Sequence, residues 1–314
     1  EQIQFIKRGM GDLPQSVLQI GSSDGYTLSR FEKAGIPEVL GVEPGEASVA
    51  IAKRLYGIDC LLSCAEDFET NKPYELILLT HVLEHLFDPQ MVLKKCRGIQ
   101  GSLPEGFIYV EVPLLAHVDS LCPGFFSFEH INYFTRGNLV NSLRDAGYYP
   151  VSLVEHFTSN LSPVIGILAS TVPQGHMPAA NSEAEQNRAR LQKYRAKETA
   201  YWQGCLDQLA SHLVKAERII LWGAGIHTSQ LVANTDLMTR YGVNGLVDTS
   251  SLKWGIRQGD WVCADPSAFD WQDGDTVIIS SYASEDEIYC ALGWLRDRGI
   301  ETLRLHNVGD VKAH

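Results

Sequence analysis

Residues 17–45 read VLQIGSSDGYTLSRFEKAGIPEVLGVEPG, and this stretch decides the fold. A short apolar run over residues 16–20 ends at Gly21. A glycine-bearing turn follows, and residues 26–34 then place Leu28, Phe31 and Ala34 on one helical face. Residues 38–43 return as a second apolar run. Two parallel strands need a crossover between them, so strand, turn, helix, strand opens an α/β sheet.

The alternation continues down the chain. Residues 47–56 read as a helix, 59–62 as a third strand and 74–80 as a buried strand. Asp88 and Pro89 supply an N-cap and a first-turn proline for a helix running to about Cys96. Residues 106–112 form another strand, and 136–146 a helix closed by Gly147. Residues 151–155 and 164–171 are predicted as a final antiparallel pair. The expected fold is α/β, a doubly wound sheet over residues 1–172. Residues 174–181 read as a polar connector, and 182–215 as a long proline-free helix or helical hairpin. This is read as a linker over 173–216, serving as a spacer or a homodimer surface. A second, smaller Rossmann-like unit is expected over 217–314. Its first strand, 218–222, runs into Gly223-Ala224-Gly225, with further strands near 242–247, 275–280 and 301–305 and a helix over 285–298.

Composition narrows the classes of function. The chain has 314 residues, 45% of them apolar, and a net charge of −12. Lys and Arg do not cluster, which argues against nucleic acid or an anionic membrane surface as partner. No run approaches the roughly 20 apolar residues that span a bilayer, and no secretory signal opens the sequence. The first residue is Glu1 rather than Met, which leaves room for an upstream segment of a larger multidomain chain. Cys60, Cys64, Cys96, Cys122, Cys205, Cys263 and Cys290 are odd in number and form no C-x-x-C pair. Reduced thiols in a cytoplasmic protein are expected, with neither a disulfide framework nor a metal site.

The first glycine turn carries the cofactor reading. Gln19, Gly21, Ser22, Asp24 and Gly25 lie where a strand hands over to a helix N-terminus with free N–H groups. Glu43 follows Gly21 by 22 residues, at the end of the next strand, where a carboxylate can accept ribose hydroxyls. Asp24 would repel a pyrophosphate but tolerates a cationic methionine group, which tilts the reading towards S-adenosylmethionine. Glu66 and Asp67, with Phe68, follow the third strand as candidates to hold an adenine amino group and cover its ring.

Together, Gly21-Ser22-Ser23-Asp24-Gly25 and Gly41-Val42-Glu43-Pro44 resemble class I S-adenosylmethionine-dependent methyltransferases. His81-Val82-Leu83-Glu84-His85 and the run from Phe128 through Glu129-His130 to Phe134 are similar to motifs of the sugar C-methyltransferase group, in which a Rossmann-like domain follows the catalytic one. That resemblance implies methylation of a sugar, as nucleotide sugar or glycan, in polysaccharide biosynthesis. Three departures stand out: the group's N-terminal zinc domain is absent, Gln19 replaces an acid, and Ser127 stands where C-methylating relatives carry a tyrosine. The last makes a hydroxyl acceptor at least as apt as carbon.

Methyl transfer needs an aligned acceptor that loses its proton, and His130 can take that proton near neutrality. Glu129 would orient the imidazole, His85 would face the acceptor and His81 would line the cofactor pocket. Phe125, Phe126, Phe128, Tyr133 and Phe134 could exclude water and stack on a sugar. H-x-x-E-H is also a zinc-protease signature, but that reading needs both histidines on one helical face, and His81 follows directly on a strand. In the second unit, Gly223-Ala224-Gly225 with Asp248 25 residues on resembles a nucleotide turn, with Thr228 in place of the third glycine. Two other readings stay open: an inert methyltransferase-fold module of a glycan-assembly protein, and a nicotinamide-dependent enzyme.

Overall fold

A computed structural model describes residues 1–115, 118–121, 124–158, 161–173, 184–282 and 284–306. The chain divides into two compact units. The first comprises residues 1–121, 128–158 and 162–187, and the second 122–127, 159–161 and 188–314.

The first unit begins with α1 (Gln2–Met10), a helix the sequence reading did not anticipate. There follow β1 (Ser16–Ile20), α2 (Tyr26–Lys33), β2 (Glu38–Glu43), α3 (Glu46–Ile51), β3 (Cys60–Leu62), β4 (Leu76–Thr80), α4 (Pro89–Ile99), β5 (Phe107–Pro113), α5 (Arg136–Asp145), β6 (Tyr149–Thr158) and β7 (Leu161–Ser170). They build one seven-stranded sheet in the order β3-β2-β1-β4-β5-β7-β6. β1 lies parallel to β2 and β4, β4 is parallel to β5, and β7 runs antiparallel to β5.

Helices cover both faces, so the central strands β1 and β4 are largely apolar and almost wholly buried rather than alternating. Val17, Leu76 and Leu78 pack with Phe31 on one face, while Leu18, Ile20, Ile77 and Leu79 pack with Leu93, Leu139 and Leu143 on the other. Each such side chain contributes about 1.5–3 kcal/mol through burial. The carboxyl ends of β1, β2 and β4 therefore come together at one edge of a rigid sheet, the place where α/β sheets bind ligands.

The second unit holds α6 (Ala184–Leu213) from Arg188 onward, β8 (Arg218–Trp222), α7 (Ile226–Asn234), α8 (Leu237–Arg240), β9 (Gly245–Val247), a small antiparallel pair β10 (Arg257–Gln258) and β11 (Trp261–Val262), β12 (Asp275–Ile279), α9 (Glu285–Ala291), α10 (Gly293–Arg296) and β13 (Glu301–Arg304). Its main sheet is parallel, in the order β13-β12-β8-β9.

Two expectations are corrected here. α6 is no linker: Trp202, Leu206, Leu209 and Leu213 are buried with Ile219, Leu221 and Ile278 in the second unit's core. The single helix expected over 285–298 is broken at Leu292, which turns into the core just before Gly293, a residue of very low helix propensity. The connector read over 174–181 lies outside the described residues, as does Cys122.

Candidate active site

Where β1, β2 and β4 end, a cleft of about 890 Å³ opens. Gly21, Ser23, Glu43, Glu66, Asp67, His81, His85, Phe87 and Met91 are among its lining residues. Gly21 has φ +70, and a Cβ there would sit 2.4 Å from Val82 Cγ2. Only glycine fits. Its N–H donates to the Val42 carbonyl, which locks the turn to β2. Glu43 is held by two backbone donors, Ser23 N at 2.9 Å on Oε2 and Gly45 N at 3.0 Å on Oε1. Each carboxylate oxygen keeps a further lone-pair direction for ligand hydroxyls.

Several sequence candidates serve the turn from outside the cleft. Ser22 is buried, its Oγ 3.4 Å from Cys60 Sγ and beneath Gly41. Asp24 turns back to accept from Tyr26 N at 3.0 Å, which pins the start of α2. Gly25, at φ +77, lets α2 sit against Ala52 and Ile58. Asp24 therefore serves the start of α2 rather than lining the cleft, contrary to the expectation that its charge faces the cofactor. Gln19 is 3% exposed, and its Oε1 takes no hydrogen bond. A buried acceptor left without a donor is unfavourable and suits a ligand donor at the end of β1. Phe68 does not cover an adenine: it lies in the core, with Lys95 Nζ 4.4 Å from its ring centre. Phe87, 93% exposed on the cleft wall beside Met91, is the aromatic that can.

The opposite end of the cleft is built on the turn Leu83–His85. His81 sits at φ +56, with Nδ1 3.3 Å from Glu84 Oε1 and Nε2 3.6 Å from Glu111 Oε1. The hydrogen bond with Glu84 raises its pKa against the opposing effect of burial. His85 and His130 meet edge to face, ring centres 4.8 Å apart. Asn132 explains how they meet: its Nδ2 donates to the carbonyls of Leu83 and Leu86, and the N–H groups of Ile131 and Asn132 donate to the Glu84 carbonyl. Burial lowers the His130 pKa, with the Glu84 charge as the main opposing influence. Burial therefore favours the neutral form of the ring.

The Glu129 charge acts to raise the His130 pKa. Glu129 is exposed, and its backbone carbonyl also lies 2.9 Å from His85 Nδ1. The acid facing His130 is Glu84, 1% exposed, which the sequence reading passed over. Phe125 and Phe126 pack on Tyr194 within the second unit. Phe128 remains with the first unit and is 77% exposed.

A family described as a methyltransferase domain matches residues 3–153, the α/β unit that holds this cleft. The first unit is a methyltransferase domain. Its sheet order and glycine turn are those of the class I fold, which uses S-adenosylmethionine. Two curated relatives are named "Ubiquinone biosynthesis O-methyltransferase". That of Bradyrhizobium diazoefficiens is 27% identical over 99 residues, 30% of this chain and 38% of its own. That of Nitrobacter winogradskyi is 26% identical over 150 residues, 46% of this chain and 55% of its own. The chain thus spans about half or less of the curated relatives it matches. The solved 1,6-didemethyltoxoflavin-N1-methyltransferase of Burkholderia thailandensis is 16% identical, with a TM-score of 0.44 over 53% of this chain and 75% of that one. Both curated relatives are O-methyltransferases by name, whereas the motif resemblance pointed to sugar C-methylation. Among the described residues, no helix of the methyltransferase domain or of the second unit is long and apolar enough to cross a membrane.

Proposed function

We propose that this chain transfers a methyl group from S-adenosylmethionine to a hydroxyl of a small-molecule acceptor, with His130 taking the hydroxyl proton. The observation that carries this is one cleft with a nucleoside-holding end at Gly21 and Glu43, and beside its other end a histidine whose neutral form burial favours. The bound cofactor supplies an activated methyl on a sulfonium. Glu43 holds the ribose hydroxyls, Glu66 and Asp67 sit where an adenine amino group would be, and Phe87 covers the ring. Gln19 offers its unpaired oxygen to the ammonium end, with Gly21 giving the backbone room to approach. His85 lines the acceptor side, its ring set by the Glu129 carbonyl. His130 removes the proton, and the buried Glu84 stabilises the imidazolium that results.

Oxygen is favoured over carbon by two features. The curated relatives are O-methyltransferases, and Ser127 replaces the tyrosine of C-methylating sugar enzymes. The acceptor is a hydroxylated ring, and sugars and phenols are the two classes to assay. Labelled S-adenosylmethionine offered with a panel of both tests the reading. Wild type is expected to label a hydroxyl of one class, and His130→Ala to bind the cofactor but lose turnover by about 10²–10⁴-fold. Wild-type turnover in His130→Ala would remove the base assignment, and a chain that does not bind the cofactor would be an inert module.

A further inference from the structure

His81, at φ +56, and His85, in a short turn, do not share the helical face that a zinc-protease H-x-x-E-H motif requires. The structure gives its second half another partner. Glu84, His85 and His130 each offer one ligand atom, and the three atoms lie within 4.8 Å of one another. We propose that these three side chains bind one divalent ion of the zinc class. Whatever ion is held there occupies His130, so the loaded form does not methylate. That consequence rests on the base role proposed for His130; the site itself does not.

Three observations support the site. The donor set is two imidazoles and one carboxylate, which suits zinc and its first-row neighbours rather than magnesium or calcium. Glu84 is 1% exposed, and its Oε1 faces His81 Nδ1 at 3.3 Å. A buried carboxylate is stabilised by a nearby cation. The third observation is the His85 tautomer. Nδ1 lies 2.9 Å from the Glu129 carbonyl, which can only accept, so Nδ1 carries the proton and Nε2 keeps its lone pair. An imidazole that donates through one nitrogen to a carbonyl and binds metal through the other is the usual arrangement of a metal-bound histidine.

The site is also reachable and partly preformed. His85 is exposed and leads inward to Glu84. The anchoring of Ile131 and Asn132 on the Glu84 carbonyl holds the neighbouring His130 near its partners. Around a tetrahedral ion with bonds of roughly 2.0–2.2 Å, a pair at the full 4.8 Å has to close by about 1.4 Å.

The test is to strip the full chain with a chelator and titrate it with Zn²⁺ by calorimetry and with Co²⁺ by visible absorption. One ion per chain is expected, with imidazole-type cobalt bands. Glu84→Gln and His85→Ala should each weaken binding by at least about tenfold, with unchanged thermal unfolding as the control for folding. On any acceptor the chain methylates, turnover should fall in proportion to zinc occupancy and return with chelator. No binding to wild type, or equal binding in both variants, overturns the site. Full occupancy with undiminished turnover overturns its silencing role. If zinc binds and His130→Ala still methylates, the base assignment falls while the site stands; if zinc does not bind and His130→Ala is inactive, the reverse holds.

Discussion

The two units each place a glycine turn after their first parallel strand and an acid at or after the end of the next, yet the two acids are engaged differently. In the first unit Ser23 N donates to Glu43 at 2.9 Å, and in the second Ala224 N donates to Asp248 at 2.7 Å. Beyond that shared bond they part. Glu43 looks into about 890 Å³ of open space. Asp248 is 6% exposed and also accepts from Lys253 Nζ at 2.8 Å and Ser250 N at 2.8 Å. Burial pushes its carboxyl up, but Lys253 and the backbone donors outweigh that and hold it below the ordinary range. Thr228, in place of a third glycine, bonds its hydroxyl to the Gly223 carbonyl and packs on Ser280. Asp248 is thus already engaged by Lys253 and by two backbone N–H groups of its own unit. A strand-turn-helix with an acid specifies a fold; a site also needs neighbours that leave its donors and acceptors unspent.

The sharpest way to break this comparison is the same change in both turns. Gly21→Ala forces a Cβ at φ +70 to within 2.4 Å of Val82, so S-adenosylhomocysteine affinity should fall by at least about 100-fold. Gly223→Ala meets the Ser280 carbonyl at 2.8 Å, so it should lower the melting temperature and leave that affinity alone. Loss of affinity in Gly223→Ala would contradict the assignment of one functional turn.

Next in size is an aromatic pair. Trp202 is fully buried, and Trp202→Ala should destabilise the second unit by about 3–5 kcal/mol in denaturant unfolding. Phe87→Ala, at a residue 93% exposed, should leave stability within about 0.5 kcal/mol but weaken the cofactor by up to about tenfold. Equal stability losses would show that α6 is peripheral. A smaller contrast lies in the acids: Glu43→Gln should weaken cofactor binding by about 10–100-fold, and Asp248→Asn should not.

The smallest effect is in acid. Burial lowers His227 to about 3 and His306 to about 4, against an ordinary 6.5. The unfolded chain therefore binds those protons first, and stability falls as pH drops from about 6.5 towards 3. Glu285, raised by burial to about 7 from 4.5, works against this between those two values, one group against two. In the first unit His81 has the opposite sign: its raised pKa gives stability that is full below 6.5 and lost as pH rises through the folded value. All six tryptophans lie in the second unit, so tryptophan fluorescence reads that unit. It should show earlier acid unfolding than amide exchange in β1 and β4. Coincident transitions would remove the contrast.

These contrasts also mark what the sequence could convey. Gly21 and Glu43 were readable because a turn and the next strand end are local, and their spacing is set by one helix. Asp24 and Ser22 were assigned to the same turn, but pattern alone does not say which of its side chains point outward. The burial of α6 was readable in principle, since Trp202, Cys205, Leu206 and Leu209 follow helical core spacing. Glu84 was not: what makes it matter is His130, 46 residues on and brought in by Asn132, a contact no local pattern encodes.

The central claim is tested most directly by calorimetric titration of S-adenosylhomocysteine into the full chain and into Gly21→Ala and Gly223→Ala. One ligand per chain is predicted for wild type and Gly223→Ala, and none measurable for Gly21→Ala. Two ligands per chain, or binding that survives in Gly21→Ala and vanishes in Gly223→Ala, would contradict it.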